Sequence, residues 1–259
     1  MAFGVSEEVL GIFTPTVVYW LYSGIYVLMG PMEKHRLFTK EEEEAKNLVS
    51  KKEVVLGVLV EQATQIVTLA LVAFSGVGTT SSAADQTSIS ALLAAGWQLL
   101  IALLVMDAWQ YWGHRYFHLN KFMYKHIHAR HHRLIVPYAY GALYNHPLES
   151  FLLNTLGGAV ALVLSGMSPR TSMIFFVLST VKNVDDHCGL WFPGHPFHKY
   201  LLNNSAFHAV HHQLYGNKYN FSTPFLVVWD KLLGTYLPCT VEERKGGGYE
   251  IRAPVMKDD

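Results

Sequence analysis

The segments His114-Arg-Tyr-Phe-His118, His128-Ala-Arg-His131-His132 and His208-Ala-Val-His211-His212 decide what fold this sequence can have. The first segment spaces two histidines four residues apart, and the other two place histidines at positions i, i+3 and i+4. On a helix, side chains four residues apart share a face, and the side chain at i+3 leans to the adjacent side. One helical turn can therefore address two neighbouring metal ions, and the fold must bring three distant segments together.

These clusters supply eight imidazoles, which exceeds the needs of one tetrahedral zinc ion and suits two ions of higher coordination number. His146 and His187 stand alone in the sequence, but they bracket the apolar tract 148–181, so we predict that both join the site. Four other isolated histidines are predicted to be ordinary polar residues: His35, His126, His195 and His198. The predicted metal ligands are His114, His118, His128, His131, His132, His146, His187, His208, His211 and His212.

The composition indicates a lipid environment. Of the 259 residues, 51% are hydrophobic and only 15% are charged, which is below the roughly 25% usual for soluble domains. Lys plus Arg equals Asp plus Glu, at 20 each, so no excess of positive charge is available for nucleic acid. Two cysteines give neither a disulfide framework nor a thiolate metal site.

Three apolar stretches, at 9–29, 54–74 and 89–109, reach the roughly 20 residues that a membrane-spanning helix needs. The tract 148–181 is interrupted by polar residues near its middle, so we expect it to form a membrane hairpin that returns the chain to the same side. The predicted fold is an all-α integral membrane protein in a single domain over 1–259. It has about four to five membrane helices and a cytosolic helical cap that carries a dinuclear metal site, followed by a mobile tail at 241–259.

Orientation follows from the lysines and arginines, which prefer the cytosolic side of short loops. Residues 33–53 carry six of them, whereas residues 1–9 and the polar loop 75–88 carry none. Arg115, Lys121, Lys125, Arg130 and Arg133 accompany the first histidine clusters. The histidines are therefore predicted to face the cytosol, with the amino terminus and the loop 75–88 on the lumenal side.

Imidazole ligands alone suit iron, zinc or copper. Arg115 stands where a zinc protease would carry its catalytic glutamate, so metal-assisted peptide hydrolysis lacks a general base. Iron with dioxygen can attack an alkyl C–H bond, which redox-inert zinc cannot. A histidine-rich metal transporter is an alternative, but it needs ionisable residues deep in the spans, and only Glu61 lies well inside one. Four carboxylates could accept imidazole N–H groups: Asp107, Glu149, Asp185 and Asp186.

Together with the flanking segments Tyr140-Gly-Ala-Leu-Tyr-Asn-His-Pro147, Asp185-Asp-His-Cys-Gly189 and Asn203-Asn204, the histidine clusters resemble the fatty acid hydroxylase superfamily. The flanking segments are similar to those of its plant sphingoid base C4-hydroxylase branch, the sphinganine C4-monooxygenases, over nearly the whole chain. Sterol C4-methyl oxidases, fatty acid hydroxylases and desaturases are alternatives with related chemistry.

The resemblance implies two iron ions held by the histidines, dioxygen as cosubstrate, and electrons from NAD(P)H through cytochrome b5 and its reductase. It also implies C4 hydroxylation of sphinganine, free or within a ceramide, to give phytosphingosine in the endoplasmic reticulum membrane. The oligomeric state stays open, and a homodimer is compatible with it. Several aromatic residues could line a lipid entrance or form an interfacial belt: Tyr111, Trp112, Tyr116, Tyr138 and Tyr140.

Overall fold

The computed structural model describes residues 7–29, 32–74 and 89–254, and within them the chain is mostly helical. The helices are α1 (Glu7–Met29), α2 (Lys40–Lys46), α3 (Lys51–Phe74), α4 (Ile89–Leu119), α5 (Lys121–His126), α6 (Pro147–Ser150), α7 (Leu156–Ser165), α8 (Pro169–Asp186), α9 (Pro196–Tyr200), α10 (Ser205–His212) and α11 (Val228–Leu232). The π-helical turn Phe151–Thr155 joins α6 to α7. Short 3-10 helices cover Glu33–His35, His128–Arg133 and Ala139–Gly141. The strands are β1 (Thr240–Glu243) and β2 (Tyr249–Arg252).

Four helical segments among the described residues are long and apolar enough to cross a membrane: Val9–Met29, Lys51–Leu71, Ile89–Leu119 and Pro147–Ser165. Large apolar side chains on these helices point outward, as for Leu28, which is 83% exposed. In water such a surface would be unfavourable, but it suits a hydrocarbon environment. The protein is therefore a membrane protein, and the prediction of a helical membrane fold is confirmed, with strands β1 and β2 as an addition to it.

Helix α4 is longer than the apolar stretch 89–109 indicates. It continues without interruption to Leu119, and its last ten residues carry His114 and His118. Beyond residue 109 one face of the helix is buried against protein while the other stays exposed, so hydrophobicity alone could not locate the end of this helix. Its rigidity fixes the first two histidines relative to the membrane segment.

The tract 148–181 is divided between the helix pair α6–α7 and helix α8, as its interruption suggested. Gly166 ends α7 in the left-handed conformation, with φ of 62°, which glycine adopts without steric cost. Ser168 caps α8 by accepting a hydrogen bond from the Thr171 backbone N–H, and Pro169 occupies the first helical turn. These local signals turn the chain, and α8 then packs along α1 and α4.

Residues 127–146 form a cap that is fastened to the first helices by polar contacts. The Asn47 side chain pairs with both backbone groups of Val136, at 2.9 and 2.8 Å. Arg133 donates to the Leu48 carbonyl at 2.6 Å and to Glu53 at 2.7 Å. The Tyr19 hydroxyl of α1 donates to the Tyr140 carbonyl at 2.7 Å. The second histidine segment is therefore held against α1 and α3.

Two buried carboxylates organise the chain after α10. Asp230 accepts hydrogen bonds from the backbone N–H groups of Phe221 and Ser222, at 3.0 and 2.8 Å. Asp107 of α4 accepts from Phe225 and Leu226, at 3.1 and 3.0 Å. A buried carboxylate is stable only when its oxygens are paired. These pairs fix the loop that lies against the histidine face of α4.

The prediction of a mobile tail is wrong for residues 241–252. Strands β1 and β2 pair in antiparallel register from Thr240↔Arg252 to Glu243↔Tyr249. Gly246, Gly247 and Gly248 all have positive φ, so the glycine run makes the hairpin turn instead of a flexible end. Val241 and Ile251 pack on the buried pair Leu37 and Phe38. Residues 255–259, the amino-terminal residues 1–6 and the loop 75–88 lie outside the described part of the chain.

Gly216, in the turn that follows α10, permits a close backbone approach that no other residue allows. A Cβ atom at this position would lie 1.9 Å from the Val210 carbonyl oxygen, and a backbone atom cannot move aside as a side chain can. We predict that Gly216→Ala destabilises the protein by about 1–3 kcal/mol, lowering the melting temperature of the purified protein by several degrees. Gly194→Ala is the matched control, because a Cβ there meets no atom within 4 Å. Equal melting temperatures for the two variants would contradict this account.

Candidate metal centre

Nine of the ten predicted histidines come together in two adjoining groups. In the larger group, the ligand atoms of five residues all lie within 4.8 Å of one another. Helix α4 supplies two of them, the 3-10 turn after α5 supplies two, and α10 supplies one. The members of this five-histidine group are His114, His118, His128, His132 and His211.

The smaller group draws on three parts of the chain and meets the same 4.8 Å limit. The 3-10 turn supplies one histidine, the end of α8 supplies one, and α10 supplies two. The rings of His132 and His212, one from each group, have centroids 4.9 Å apart, so the groups share a boundary. The members of this four-histidine group are His131, His187, His208 and His212.

Each histidine triple is divided between the two groups. In both triples, the residues at i and i+4 enter one group and the residue at i+3 enters the other. The triple at 128–132 makes this division on a 3-10 turn, whereas the triple at 208–212 makes it on helix α10. The triple at 128–132 gives two histidines to the five-histidine group and one to the other, and the triple at 208–212 does the reverse. Each group therefore receives three of the six imidazoles.

Backbone carbonyls fix the tautomer of four of these rings. His114 donates from Nδ1 to the Phe221 carbonyl at 2.8 Å, and His211 donates to Tyr219 at 2.7 Å. His212 donates to Leu134 and His187 to Asn183, both at 2.8 Å. A carbonyl oxygen only accepts hydrogen bonds, so Nδ1 carries the proton and Nε2 presents a lone pair. The lone pairs are directed into the two groups.

The spacing of the Nε2 atoms fits shared metal ions. His128 Nε2 lies 3.2 Å from His114 Nε2 and 2.8 Å from His118 Nε2, and His208 Nε2 lies 2.9 Å from His187 Nε2. Nitrogens bound at about 2.1 Å to one ion lie about 3.0 Å apart at a right angle and about 3.4 Å apart at the tetrahedral angle. The Nδ1 atoms of His114 and His128 donate to the Phe221 carbonyl and to Glu149, so both Nε2 atoms carry lone pairs. These two lone pairs repel each other, and a cation between them removes this repulsion. The residues present therefore fit a metal ion in each group.

Of the four carboxylates predicted to support the ligands, only Glu149 contacts one of the nine grouped histidines. Its Oε1 accepts from His128 Nδ1 at 2.6 Å, and both side chains are buried. Asp107 holds the backbone at 225–226 instead. Asp185 accepts from the Tyr26 hydroxyl at 2.5 Å, and Asp186 pairs with buried Lys182. These three side chains stabilise helix packing around the centre.

His146 lies outside both groups, which corrects its prediction as a ligand. Its Nδ1 accepts a hydrogen bond from the Leu148 backbone N–H at 3.2 Å and so caps α6. Sequence proximity to the tract 148–181 did not distinguish a capping residue from a ligand.

His198, predicted to be an ordinary polar residue, is buried with Nε2 3.3 Å from Asp185. Asp185, Cys188 and His198 form a third group of potential metal ligands. Sequence analysis did not predict this group, because its one histidine is isolated in the sequence.

An apolar groove of about 560 Å³ lies beside the five-histidine group, between α4 and the α6–α7 segment. Phe117 lines the groove and stacks on His128, with ring centroids 6.1 Å apart. Trp112 and Tyr116, two of the aromatic residues predicted for a lipid entrance, also line it. Tyr111 does not, because its buried hydroxyl pairs with Thr235. Tyr138 and Tyr140 pack against each other in the cap.

Burial lowers the pKa values of six grouped histidines that lie outside the membrane-spanning segments. Removal from water lowers the pKa of His187 from 6.5 to about 4 and that of His211 to about 3. It also holds the pKa values of His131, His132, His208 and His212 well below the usual range. Neutral imidazole is the form that binds a metal ion.

Glu149→Gln should weaken metal retention by about 10- to 100-fold, because a carboxylate that accepts the ligand N–H raises the basicity of the imidazole. The measurement is competition with a chelator, followed by metal analysis of the purified protein. Glu41→Gln, on the exposed face of α2, should retain metal like the wild type. Unchanged retention in Glu149→Gln would show that this hydrogen bond does not support the ligand.

Metal-free protein should lose stability as the pH falls from about 6.5 toward 4. The unfolded chain binds protons at His187 and His211 near pH 6.5, whereas the folded chain does so only near pH 4 and 3. Protons therefore favour the unfolded state across this interval. Thermal unfolding of the chelator-treated protein at several pH values tests this expectation. A melting temperature that does not fall between pH 6.5 and 4.5 would contradict it.

The chain is similar to a known protein family and to several named proteins. The model of the fatty acid hydroxylase family matches residues 99–235, a range that contains all nine grouped histidines. Sphinganine C4-monooxygenase 2 from Arabidopsis thaliana is 57% identical over 260 residues, covering 100% of each chain. Sphingolipid C4-hydroxylase from Schizosaccharomyces pombe is 41% identical, covering 87% of each chain.

A relative with a different name is also similar. A very-long-chain aldehyde decarbonylase from Oryza sativa subsp. japonica is 51% identical and covers 96% of each chain. No solved structure was found to match the chain. The family model spans more than half of the sequence, and full-length relatives exceed half identity. The chain therefore belongs to the fatty acid hydroxylase family.

Proposed function

We propose that this protein is a membrane di-iron oxygenase that hydroxylates C4 of sphinganine, free or as dihydroceramide, in sphingolipid biosynthesis. The observation that carries the proposal is the pair of histidine groups in a chain 57% identical to a sphinganine C4-monooxygenase over its full length. In the overall reaction, dioxygen supplies one oxygen atom to the C4–H bond and the other leaves as water, which requires two electrons and two protons. NAD(P)H provides the electrons through cytochrome b5 and its reductase.

Iron bound in the two groups would supply the dioxygen-activating redox chemistry that zinc lacks. The chain contributes nine imidazoles as the proposed ligands, and His146 is left out because it caps α6. Carbonyls and Glu149 hold the rings in place. Such preorientation is favourable because the ligands need not rearrange during the reaction.

The apolar groove beside Phe117 supports a lipid substrate. Its volume of about 560 Å³ is within the range of ligand sites. It opens between membrane helices, so an alkyl chain could enter from the bilayer without crossing water. The surrounding protein excludes bulk water from the histidines. Eight of the nine are buried, and only His118 is partly exposed.

We further propose a single membrane domain over 1–259, with segments 9–29, 54–74 and 89–109 crossing the bilayer and 148–181 entering and returning. The basic residues Lys121, Lys125, Arg130 and Arg133 near the first histidine clusters support a cytosolic metal centre in the endoplasmic reticulum membrane, by the preference of basic residues for that side. Cytochrome b5 would approach the same face. The proposal is compatible with a homodimer.

Aldehyde decarbonylation is a second candidate, favoured by the relative that is 51% identical and carries that name. Both candidates use a long alkyl chain and the same histidine groups. They differ in the polar end of the substrate, which is an amino-diol in one case and an aldehyde in the other. Product analysis therefore separates them.

Cells that lack their own sphingoid hydroxylase should accumulate C4-hydroxylated long-chain bases when they express this protein. A double variant, His131→Ala with His211→Ala, removes one imidazole from each group and should abolish the product. Mass spectrometry of the extracted long-chain bases is the measurement. His126→Ala, an exposed histidine outside both groups, should keep the activity.

Membrane-localised wild-type protein without this product would refute the substrate assignment. Conversion of a supplied long-chain aldehyde to alkane in the same cells would then favour decarbonylation. Product formation by the double variant would instead exclude the histidine groups from the reaction.

A further inference from the structure

Glu61 is a buried carboxylate that the metal centre does not use. It lies halfway along the candidate membrane segment Lys51–Leu71 and is only 1% exposed. Neither of its oxygens has a hydrogen-bond partner, and none of the ion pairs of the described residues involves it. A carboxylate inside a membrane segment is costly, and such residues generally mark a binding or transport site.

Polar groups surround Glu61. The Ser150 side chain of α6 is near enough to act as a weak donor to the Glu61 carboxylate, although neither group makes a hydrogen bond of normal geometry. The next residue, Gln62, accepts from the Trp20 indole N–H at 2.8 Å, which leaves its own Nε2 buried and unpaired. Tyr19 also interacts with Glu61 electrostatically, but its hydroxyl is engaged by the Tyr140 carbonyl. Unpaired buried groups are few in folded proteins, and each one calls for a partner.

The position of Glu61 connects it to the metal centre. Ser150 directly follows Glu149, which accepts the proton of His128. One turn before Glu61, Gly57 lies against Tyr144 and Arg130 of the cap. Glu61 therefore lies about one helical turn from the contact between α3 and the cap, inside the membrane segment.

The site is also close to the bilayer. Val60, immediately before Glu61, is 55% exposed on the apolar surface of α3. Exposed apolar and buried polar side chains therefore adjoin at this point of α3.

We propose that Glu61, with Ser150, binds the protonated primary amine of a long-chain base. An ammonium group has a positive charge and three N–H donors but no acceptor, which matches a buried carboxylate beside a hydroxyl. An alcohol or an N-acylated amine lacks the charge and would gain less. The inference rests on the proposed function for the identity of the amine: in sphinganine the amine is at C2, two bonds from the carbon that reacts. Glu61 is then a determinant of specificity for the free base over dihydroceramide.

Binding measurements on the purified, metal-loaded protein test this inference directly. Radiolabelled octadecylamine and octadecanol, which have the same alkyl chain, are the probes. We expect Glu61→Gln to weaken octadecylamine binding at least tenfold and to leave octadecanol binding unchanged. Glu61→Asp, which keeps the charge, should retain part of the preference for the amine. Glu44→Gln, an exposed glutamate of α2, is the charge-matched control and should bind both probes like the wild type.

Equal amine binding by wild type and Glu61→Gln would overturn the inference. Equal losses for the amine and the alcohol would also overturn it, because they would indicate a general packing role. Ser150→Ala is an independent variant that should weaken amine binding by a smaller factor, which keeps the test decisive if Glu61→Gln does not fold.

Turnover distinguishes this inference from the proposed function. If C4 hydroxylation occurs and Glu61→Gln raises KM for sphinganine but not for dihydroceramide, both stand. If hydroxylation occurs with an unchanged KM for sphinganine, the Glu61 site fails and the proposed function stands. If no hydroxylation occurs but amine binding still depends on Glu61, the site stands and the proposed function fails.

Discussion

The repulsion between closely spaced imidazole lone pairs is the constraint on which the rest of this structure depends. Nine histidines present nitrogens to two small volumes, and burial disfavours relieving the repulsion by protonation. Hydrogen bonds on the opposite side of the rings hold them in place, from carbonyls of Phe221, Tyr219, Leu134 and Asn183. Cations in both volumes would convert this arrangement from a destabilising one to a stabilising one.

This constraint explains why the cap and the membrane helices form one unit. The histidines come from α4, from the turn His128–Arg133, from the end of α8 and from α10, so no single segment can hold a metal ion alone. Side chains of Asn47, Arg133 and Tyr19 fasten the cap to the first helices. Asp107 and Asp230 then fix the chain that supplies the Phe221 carbonyl. The polar contacts far from the ligands thereby set the ring positions.

The buried carboxylates of the protein fall into two kinds. Asp107 and Asp230 have both oxygens engaged by backbone N–H groups, and Glu149 has one oxygen engaged by the His128 N–H, which is how a folded protein normally accommodates a buried carboxylate. Glu61 has donors nearby but no bond to any of them. Because the cost of an unpaired charge is high in a membrane segment, this difference separates residues that maintain the fold from one that is available to a ligand.

The sequence by itself determined the membrane character, the helical fold and the division of the histidine triple at 208–212, because local spacing and apolar length fix these features. The triple at 128–132 is on a 3-10 turn, in which residues at i and i+3 share a face, so its division was decided by the tertiary structure. It did not determine the extension of α4 to Leu119, the hairpin at Thr240–Arg252, or the roles of His146 and His198. These features depend on contacts between residues far apart in the chain. A capping histidine, a buried histidine and a ligand are the same residue type, and only the tertiary structure decides which atoms their nitrogens meet.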